Sequence, residues 1–149
     1  KSLSQRLNMQ FADIDDIIEK KNGLSISMIF EQRGEKTFRQ EEEVESKNAL
    51  KRSNIIIALG GGAFINKNIR DEIKKNSVSI WLDLDVEMLY KRVNLNQKRP
   101  LLKNSSKEDL KKIYNDRKKI YSLADFKIQC TLKNKDQIIN EIVKIYASR

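Results

Sequence analysis

The stretch Asn54-Ile-Ile-Ile-Ala-Leu-Gly60-Gly61-Gly62-Ala63 decides how the rest of this chain is interpreted. Its isoleucines are β-branched, and an unbroken apolar run of this length predicts a strand buried on both faces. The three glycines follow at the carboxyl end of that strand, where open α/β sheets bind ligands. Glycine has no Cβ, so its backbone can approach a ligand closely. On its own, however, the run is more typical of a strand–helix turn that needs glycine for geometry alone.

Strands and helices alternate around this stretch. Apolar patterns predict strands over residues 10–14, 55–59, 77–84 and 126–131. Helical periodicity and caps predict helices over 1–8, 16–21, 25–32, 37–51, 66–75, 85–94, 107–123 and 136–147. Such alternation predicts a mostly parallel sheet with helices on both faces, a three-layer α/β/α architecture. With 149 residues and no repeat or linker, we expect one domain over residues 1–149.

Composition excludes several kinds of chemistry. The chain has no histidine, which excludes Ser-His-Asp and Cys-His catalysis and argues against a zinc site. Acid–base chemistry must fall to carboxylates or lysines. The one cysteine, Cys130, lies in an apolar stretch, so we expect it in the core of a cytoplasmic protein. No apolar run reaches the roughly 20 residues that span a bilayer, and we expect no membrane partner.

The charge balance is basic. Thirty Lys and Arg against 21 Asp and Glu give a net charge of +9, which attracts polyanions or small anionic ligands. Most lysines are scattered along predicted helices and are typical of a solvated face. The aromatic residues form no stacking surface for bases, so we expect no nucleic-acid partner. The arginines matter more, because a guanidinium grips a carboxylate or phosphate with two hydrogen bonds.

Two pairs of residues combine charge with helpful spacing. Asp13 and Asp15 are two apart at the predicted end of the first strand, where both carboxylates would share one side and orient Mg²⁺ or accept a proton. The alternative is that Asp15 or Asp16 caps the next helix. Arg39 and Glu42 are three apart on a helix and can pair, either as an anion clamp or as an ordinary surface salt bridge.

Two further patterns involve arginine. The segment Lys98-Arg99-Pro100-Leu101-Leu102 predicts a lid over a negative ligand, in a loop spanning about residues 95–106. A turn whose leucines dock on the body is the alternative. Arg117, on the following helix, is either a second anion clamp or part of a solvated basic face.

The order of these motifs closely resembles the shikimate kinase family over essentially the whole chain. The run is Asp13-x-Asp15, then Gly34-Glu-x-x-Phe-Arg-x-x-Glu42, then the strand with Gly60–Gly62 and Ala63, then Arg99-Pro-Leu-Leu102, then Arg117-x-x-x-Tyr121. The resemblance implies a P-loop fold like that of nucleoside monophosphate kinases. It also implies transfer of the γ-phosphate of ATP to the 3-hydroxyl of shikimate, in chorismate and aromatic amino-acid biosynthesis.

The resemblance implies roles for the shikimate side of the site. Asp15 would hydrogen-bond the hydroxyls and act as the base, while Arg39 and Arg117 would clamp the carboxylate and Glu42 would position Arg39. The backbone of Gly60, Gly61 and Gly62 would approach the ring, and Phe30 and Phe38 would form apolar walls. The substrate-binding subregion would span about residues 14–50.

It also implies roles on the ATP side. Asp13 would hold Mg²⁺ through water, Arg92 would pack on the adenine, and Arg99 would close with the lid onto the phosphates. The family's G-x-x-x-x-G-K-[ST] motif is not in this sequence. We therefore expect a longer gene product that supplies a central first strand and this loop, and we expect residues 1–149 alone not to bind ATP productively.

Other functions stay open on the sequence. Another small P-loop kinase, such as a gluconate or nucleoside monophosphate kinase, has similar elements, and so does an inactive shikimate-binding relative. The family arginine segment is usually Arg-x-Pro-Leu-Tyr, whereas here Lys118-Lys119-Ile120 separates Arg117 from Tyr121. We expect a monomer whose small-molecule partners are shikimate and ATP.

Overall fold

A computed structural model describes residues 1–95 and 105–148, and for residues 92–95 it describes the backbone only. In chain order its elements are α1 (Ser2–Leu7), β1 (Gln10–Asp13), α2 (Ile14–Asn22), α3 (Ile26–Leu50), β2 (Ile55–Ala58), a 3-10 helix (Ala63–Ile65), α4 (Lys67–Asn76), β3 (Ile80–Asp83), α5 (Val86–Leu95), α6 (Lys107–Tyr121), β4 (Phe126–Gln129) and α7 (Lys135–Ala147).

The strands pair in parallel, as predicted. Strand β1 pairs with β2, with Ala12 opposite Ile57, and β3 pairs with β4, with Leu82 opposite Ile128. Within the described residues these pairs form two separate two-stranded sheets rather than one continuous sheet. The α/β class and the parallel pairing are confirmed, and β2 and β3 share no ladder hydrogen bonds in the described ranges.

The core follows the same division. Beside β2, α2 and α3 contribute three fully buried isoleucines, Ile14, Ile18 and Ile29. Burying one such side chain stabilises the fold by about 1.5–3 kcal/mol. Ile57 and Leu59 contact this cluster and also a second one under the 3-10 helix and α4. The strand that ends in the glycine run is therefore held between two packed clusters.

A third cluster covers the outer face of β3 and β4. Leu84, Ile128, Cys130 and Ile142 are its buried members, and α1, α5 and α7 supply partly buried neighbours. Cys130 is buried, as predicted, and its thiol donates to Ile128 O at 3.3 Å. Ile138, Ile142 and Ile145 of α7 lie in or against this cluster, whereas Tyr146 of the same helix is 53% exposed.

Glycine shapes the region before the glycine run. Gly23 ends α2 with φ 64° in the left-handed region that favours glycine. Gly34, with φ 80°, is a non-helical point inside α3, so the two helices predicted on either side of it follow each other directly. This kink redirects α3 just before Arg39. In the described part of the chain, no helix is both long and apolar enough to cross a membrane.

Candidate active site

The three glycines after β2 are contact points for charged side chains. A Cβ built on Gly60 would lie 3.3 Å from Glu42 Oε1 and 3.4 Å from Asp15 Oδ1. One on Gly61 would lie 3.6 Å from Arg117 Nη1, and one on Gly62 would lie 2.6 Å from Arg39 Cζ. Side chains from α2, α3 and α6 therefore converge on the carboxyl end of β2.

The glycine run serves close approach rather than an unusual backbone. The positive-φ glycines of the described chain are Gly23 and Gly34, so residues 60–62 adopt conformations open to other residues. A larger residue would lack space at these positions, most of all at Gly62, where its Cβ would overlap the Arg39 guanidinium. The run also leads into the 3-10 helix, which was not predicted, through a hydrogen bond from Ala63 N to Gly60 O of 3.1 Å.

Arg39 is held between two carboxylates of α3. Its Nη1 donates to Glu42 Oε2 at 2.7 Å, and its Nη2 donates to Glu35 Oε1 at 3.3 Å. The predicted Arg39–Glu42 pair is therefore present, and it is not an ordinary surface pair, because Glu42 is only 2% exposed. The Arg39 Cζ also lies 5.2 Å from the centre of the Phe38 ring, a cation–π geometry. These contacts fix the guanidinium beside the glycine run.

The electrostatics of this pair reflect its burial. Burial raises the pKa of Glu42, and the nearby Asp15 adds to this, while Arg39 and Arg117 pull it down only in part. Burial alone would lower the pKa of Arg39, but its hydrogen bonds to Glu42 and Glu35 raise it on balance. Arg39 is thus a permanent cation, whereas the raised pKa of Glu42 means that this carboxyl holds its proton more tightly than an exposed one does.

Helix α6 brings a second arginine to the same loop. Arg117 and Tyr121 are four residues apart and share one face of the helix. The Tyr121 hydroxyl donates to Gly61 O at 2.5 Å, and its ring lies 5.9 Å from Trp81 and 6.4 Å from Phe64. Arg117 therefore approaches Gly61, while Arg39 approaches Gly62. Two guanidiniums at one loop are suited to an anionic group on a ligand.

The two aspartates are arranged differently from the prediction. Strand β1 ends at Asp13, and Asp15 lies in the first turn of α2, so the two carboxylates do not share one side of a strand. Asp13, and not Asp15 or Asp16, caps α2, because its Oδ1 accepts from Asp15 N at 3.1 Å. This sharp turn directs the Asp15 side chain toward Gly60.

The predicted aromatic walls lie under the arginine. The Phe30 and Phe38 rings have their centres 4.7 Å apart. Phe38 is 3% exposed and belongs to the core cluster of α2 and α3. Its main contact in the described chain is therefore with the core and with Arg39. Phe30 is only partly buried, and its role as a wall stays a prediction.

Two of the residues predicted for the ATP side, Arg92 and Arg99, lie outside the described side chains. Arg99 and most of the predicted lid fall among residues 96–104, outside the described residues, and Arg92 is described only as part of the α5 backbone. Among the described side chains, no group of three or more His, Cys, Asp or Glu could hold a metal ion. Magnesium needs no such group, since it is commonly held by one or two carboxylates, waters and phosphates. Asp13 is suited to this kind of binding, because capping α2 uses only one of its two carboxylate oxygens.

Sequence reasoning missed several supporting residues. Glu35 braces Arg39 from the side opposite Glu42, a contact that the i,i+4 spacing could have suggested. Glu43 accepts from Asn66 at 2.7 Å and Asn68 at 3.0 Å, which ties α3 to the start of α4. No local signal predicts this second contact, because 23 residues separate Glu43 from Asn66.

Comparison with known proteins finds relatives that match nearly the whole chain. The family model described as shikimate kinase matches residues 1–147. A shikimate kinase of Sulfurihydrogenibium sp. (strain YO3AOP1) is 38% identical over 143 residues, covering 96% of this chain and 86% of the relative. The shikimate kinase of Aquifex aeolicus (strain VF5) is 35% identical over 141 residues, covering 95% and 83%.

Solved structures agree with this. The shikimate kinase from Acinetobacter baumannii in complex with shikimate superposes with a TM-score of 0.92 at 28% identity, covering 98% of this chain and 83% of that one. The crystal structure of the shikimate kinase from Aquifex aeolicus gives a TM-score of 0.82 at 34% identity, covering 95% of this chain and 83% of that one.

Proposed function

The chain belongs to the shikimate kinase family, and from this premise we propose that it transfers the γ-phosphate of ATP to the 3-hydroxyl of shikimate. The observation that carries the proposal is the convergence of Arg39, Arg117 and Asp15 on residues 60–62. A hydroxylated ring acid needs cations for its carboxylate and an acceptor for its hydroxyls, and the site offers both. The relative from Acinetobacter baumannii was solved with shikimate bound.

The carboxylate of shikimate would lie between the two arginines. A guanidinium can hold a carboxylate through two parallel hydrogen bonds, and Arg39 is already fixed by Glu35 and Glu42. Such preorganisation lowers the entropy lost on binding. Because the glycines lack side chains, Asp15, Arg39 and Arg117 can lie close to the loop, where they would contact the substrate.

Asp15 is the group best placed for the proton of the reacting hydroxyl. In the proposed step, the 3-hydroxyl oxygen bonds to the γ-phosphorus, the bond to the β–γ bridging oxygen breaks, and ADP leaves with that electron pair. The hydroxyl proton passes to the Asp15 carboxylate. Positioning and charge supply most of the catalysis in phosphoryl transfer, so a histidine is not required.

The ATP side of the proposal uses Asp13, Arg92 and Arg99. Magnesium, when bound, neutralises charge on the phosphates and helps to orient them. Asp13 would hold it through water, using the carboxylate oxygen that does not cap α2. Arg99 would approach the phosphates and Arg92 the adenine, as the family resemblance implies.

We also propose that residues 14–50 form the substrate-binding subregion of a single domain. The support is that α2 and α3 share one core cluster and carry Asp15, Arg39 and Glu42. The monomeric state and the cytoplasmic location stay predictions.

A phosphotransfer panel tests the proposed function. The complete gene product is incubated with ATP, Mg²⁺ and either shikimate, gluconate or a nucleoside monophosphate, and ADP is measured. We expect turnover with shikimate alone among these acceptors. Turnover only with gluconate or a nucleotide would overturn the proposal. An Arg39→Lys variant is the matched control, because it keeps the charge but loses the two-pronged contact, and we expect a raised KM for shikimate.

A further inference from the structure

A buried carboxylate that the proposed reaction does not use lies at the end of β3. Asp83 is 3% exposed. Its Oδ1 accepts from the Tyr114 hydroxyl at 2.9 Å, and its Oδ2 lies 2.8 Å from Lys127 Nζ. A buried charge is costly unless it is paired and hydrogen-bonded, and here it is both. Such a directional contact fixes the position of its partner more narrowly than apolar packing does.

Asp83 shares one face of β3 with a tryptophan that also contacts α6. Trp81 and Asp83 are two apart on β3 and point to the same side. Lys127 lies opposite Trp81 on β4, and its Nζ lies 4.6 Å from the centre of the Trp81 ring. The Tyr121 ring of α6 contacts the same tryptophan. One aromatic contact and one hydrogen bond therefore join α6 to β3.

Arg117 lies between two tyrosine anchors on α6. Tyr114, Arg117 and Tyr121 follow one another at spacings of three and four, which places them on one face of the helix. The Tyr114 hydroxyl is tied to the end of β3, and the Tyr121 hydroxyl to the loop after β2. The helix thus connects the two strand pairs, which share no ladder hydrogen bonds in the described residues.

We infer that Asp83 and Tyr114 are positioning residues for the substrate carboxylate, because their hydrogen bond holds α6 where Arg117 reaches the glycine run. The inference rests on the proposed function, in which Arg117 binds the carboxylate of shikimate. Burial, together with the hydrogen bond to Asp83, raises the pKa of Tyr114 to about 12. The hydroxyl therefore remains a proton donor throughout the pH range of an assay.

The test is shikimate affinity in a Tyr114→Phe variant, measured by calorimetry without ATP on the complete gene product. The change removes one hydroxyl and keeps the ring. We expect Kd to rise about three- to tenfold, the range that one net hydrogen bond supports. The control is Tyr146→Phe on the exposed face of α7, which should leave Kd unchanged.

A second background separates positioning from general stability. The Arg117→Lys variant lacks the guanidinium that Tyr114 positions. Adding Tyr114→Phe to this variant should therefore change the Kd for shikimate by less than twofold. An equal loss in both backgrounds would overturn the inference, and so would a Tyr114→Phe protein that melts earlier but binds shikimate normally.

Folding failure is covered by a double variant. If Tyr114→Phe does not fold, Asp83→Leu combined with Tyr114→Phe replaces both partners of the hydrogen bond by apolar groups. Lys127 then loses its ion pair with Asp83, but its side chain is 47% exposed and water can solvate it. This variant should fold and still bind shikimate more weakly, and normal binding by it would overturn the inference. Failure of the unchanged protein to bind shikimate would count instead against the proposed function.

Discussion

At the residue scale, the site depends on small groups that leave room for large charged ones. Gly62 has no space for a side chain because the Arg39 guanidinium occupies it. Arg39 in turn is held by Glu42, a carboxylate whose burial would be costly without that partner. Each of these residues has an ordinary local conformation, so their importance comes from what they touch.

Gly62→Ala should weaken shikimate binding strongly while leaving the fold intact. The new Cβ would lie 2.6 Å from Arg39 Cζ, and the flexible end of that side chain can move away. Losing a charge-assisted contact to the substrate should raise Kd by roughly 10- to 100-fold. Calorimetry gives Kd, and thermal melting checks the fold. Gly60→Ala is the comparison, because its nearest contact is 3.3 Å and its effect should be smaller. Unchanged affinity in Gly62→Ala would contradict this account.

Glu42 should make stability fall as pH rises through its raised pKa. The folded state holds the Glu42 proton more tightly than the unfolded state, whose pKa is near 4.5. Below pH 4.5 both states are protonated and the favourable contribution is complete; it is lost once the pH passes the folded-state pKa. The difference in free energy of unfolding between the wild type and Glu42→Gln, measured by urea denaturation across acidic pH, should therefore decline with rising pH. A difference that grows with pH would count against a raised pKa.

At the element scale, α3 organises the pocket. Its kink at Gly34 precedes Arg39, and its later turns carry Glu42 and Glu43. Glu43 bonds Asn66 and Asn68, so the helix also holds the beginning of α4. On the other side of the loop, Arg70 of α4 donates to Phe64 O at 2.7 Å and to Ile65 O at 2.6 Å. The glycine run is thus fixed by the elements on either side of it.

Glu43→Gln should destabilise the protein at neutral pH and flatten its acid sensitivity. Hydrogen bonds from Lys47, Asn66 and Asn68 lower the pKa of Glu43 to about 2. Its contribution is therefore present above pH 4.5 and is lost as the pH falls toward 2. We expect a loss of about 1 kcal/mol in the free energy of unfolding at pH 7, because solvent screens a group near the surface.

The matched control for this change is Glu72→Gln. It removes the same charge from a surface pair with Lys75 at 2.9 Å, without asparagine partners, and should have a smaller effect. Equal losses of stability in the two variants, measured by urea denaturation, would show that the link to α4 adds nothing.

At the scale of the whole molecule, α6 joins the two strand pairs through Tyr114 and Tyr121. The Tyr121 ring contacts Trp81 on β3, while its hydroxyl reaches the loop after β2. The chain has a single tryptophan, so fluorescence from Trp81 reports on the contact between α6 and β3. This makes the connection between the halves of the molecule measurable.

Tyr121→Phe and Tyr121→Leu should separate the two contacts. The phenylalanine keeps the ring against Trp81 and loses the bond to Gly61 O, so emission should stay the same while shikimate Kd rises about three- to tenfold. The leucine also loses the ring contact, and the Trp81 emission maximum should move to longer wavelength as water reaches it. An emission shift in Tyr121→Phe would contradict this division of roles.

The sequence by itself determined what local spacing controls. Apolar runs and helical periodicity predicted the alternating elements, and the i,i+3 spacing predicted the Arg39–Glu42 pair, because both depend on residues within a few positions. The motif order predicted the family, which the comparisons confirm.

Only the tertiary structure decided which distant groups meet. The turn by which Asp13 caps α2 sends Asp15 to Gly60 instead of leaving both on one strand. Tyr121 reaches Gly61 across 60 residues, and Tyr114 reaches Asp83 across 31. No local pattern encodes such contacts, because they follow from how helices pack on the sheets. The glycine run was visible in the sequence, but the charged side chains that give it a purpose were assembled by packing.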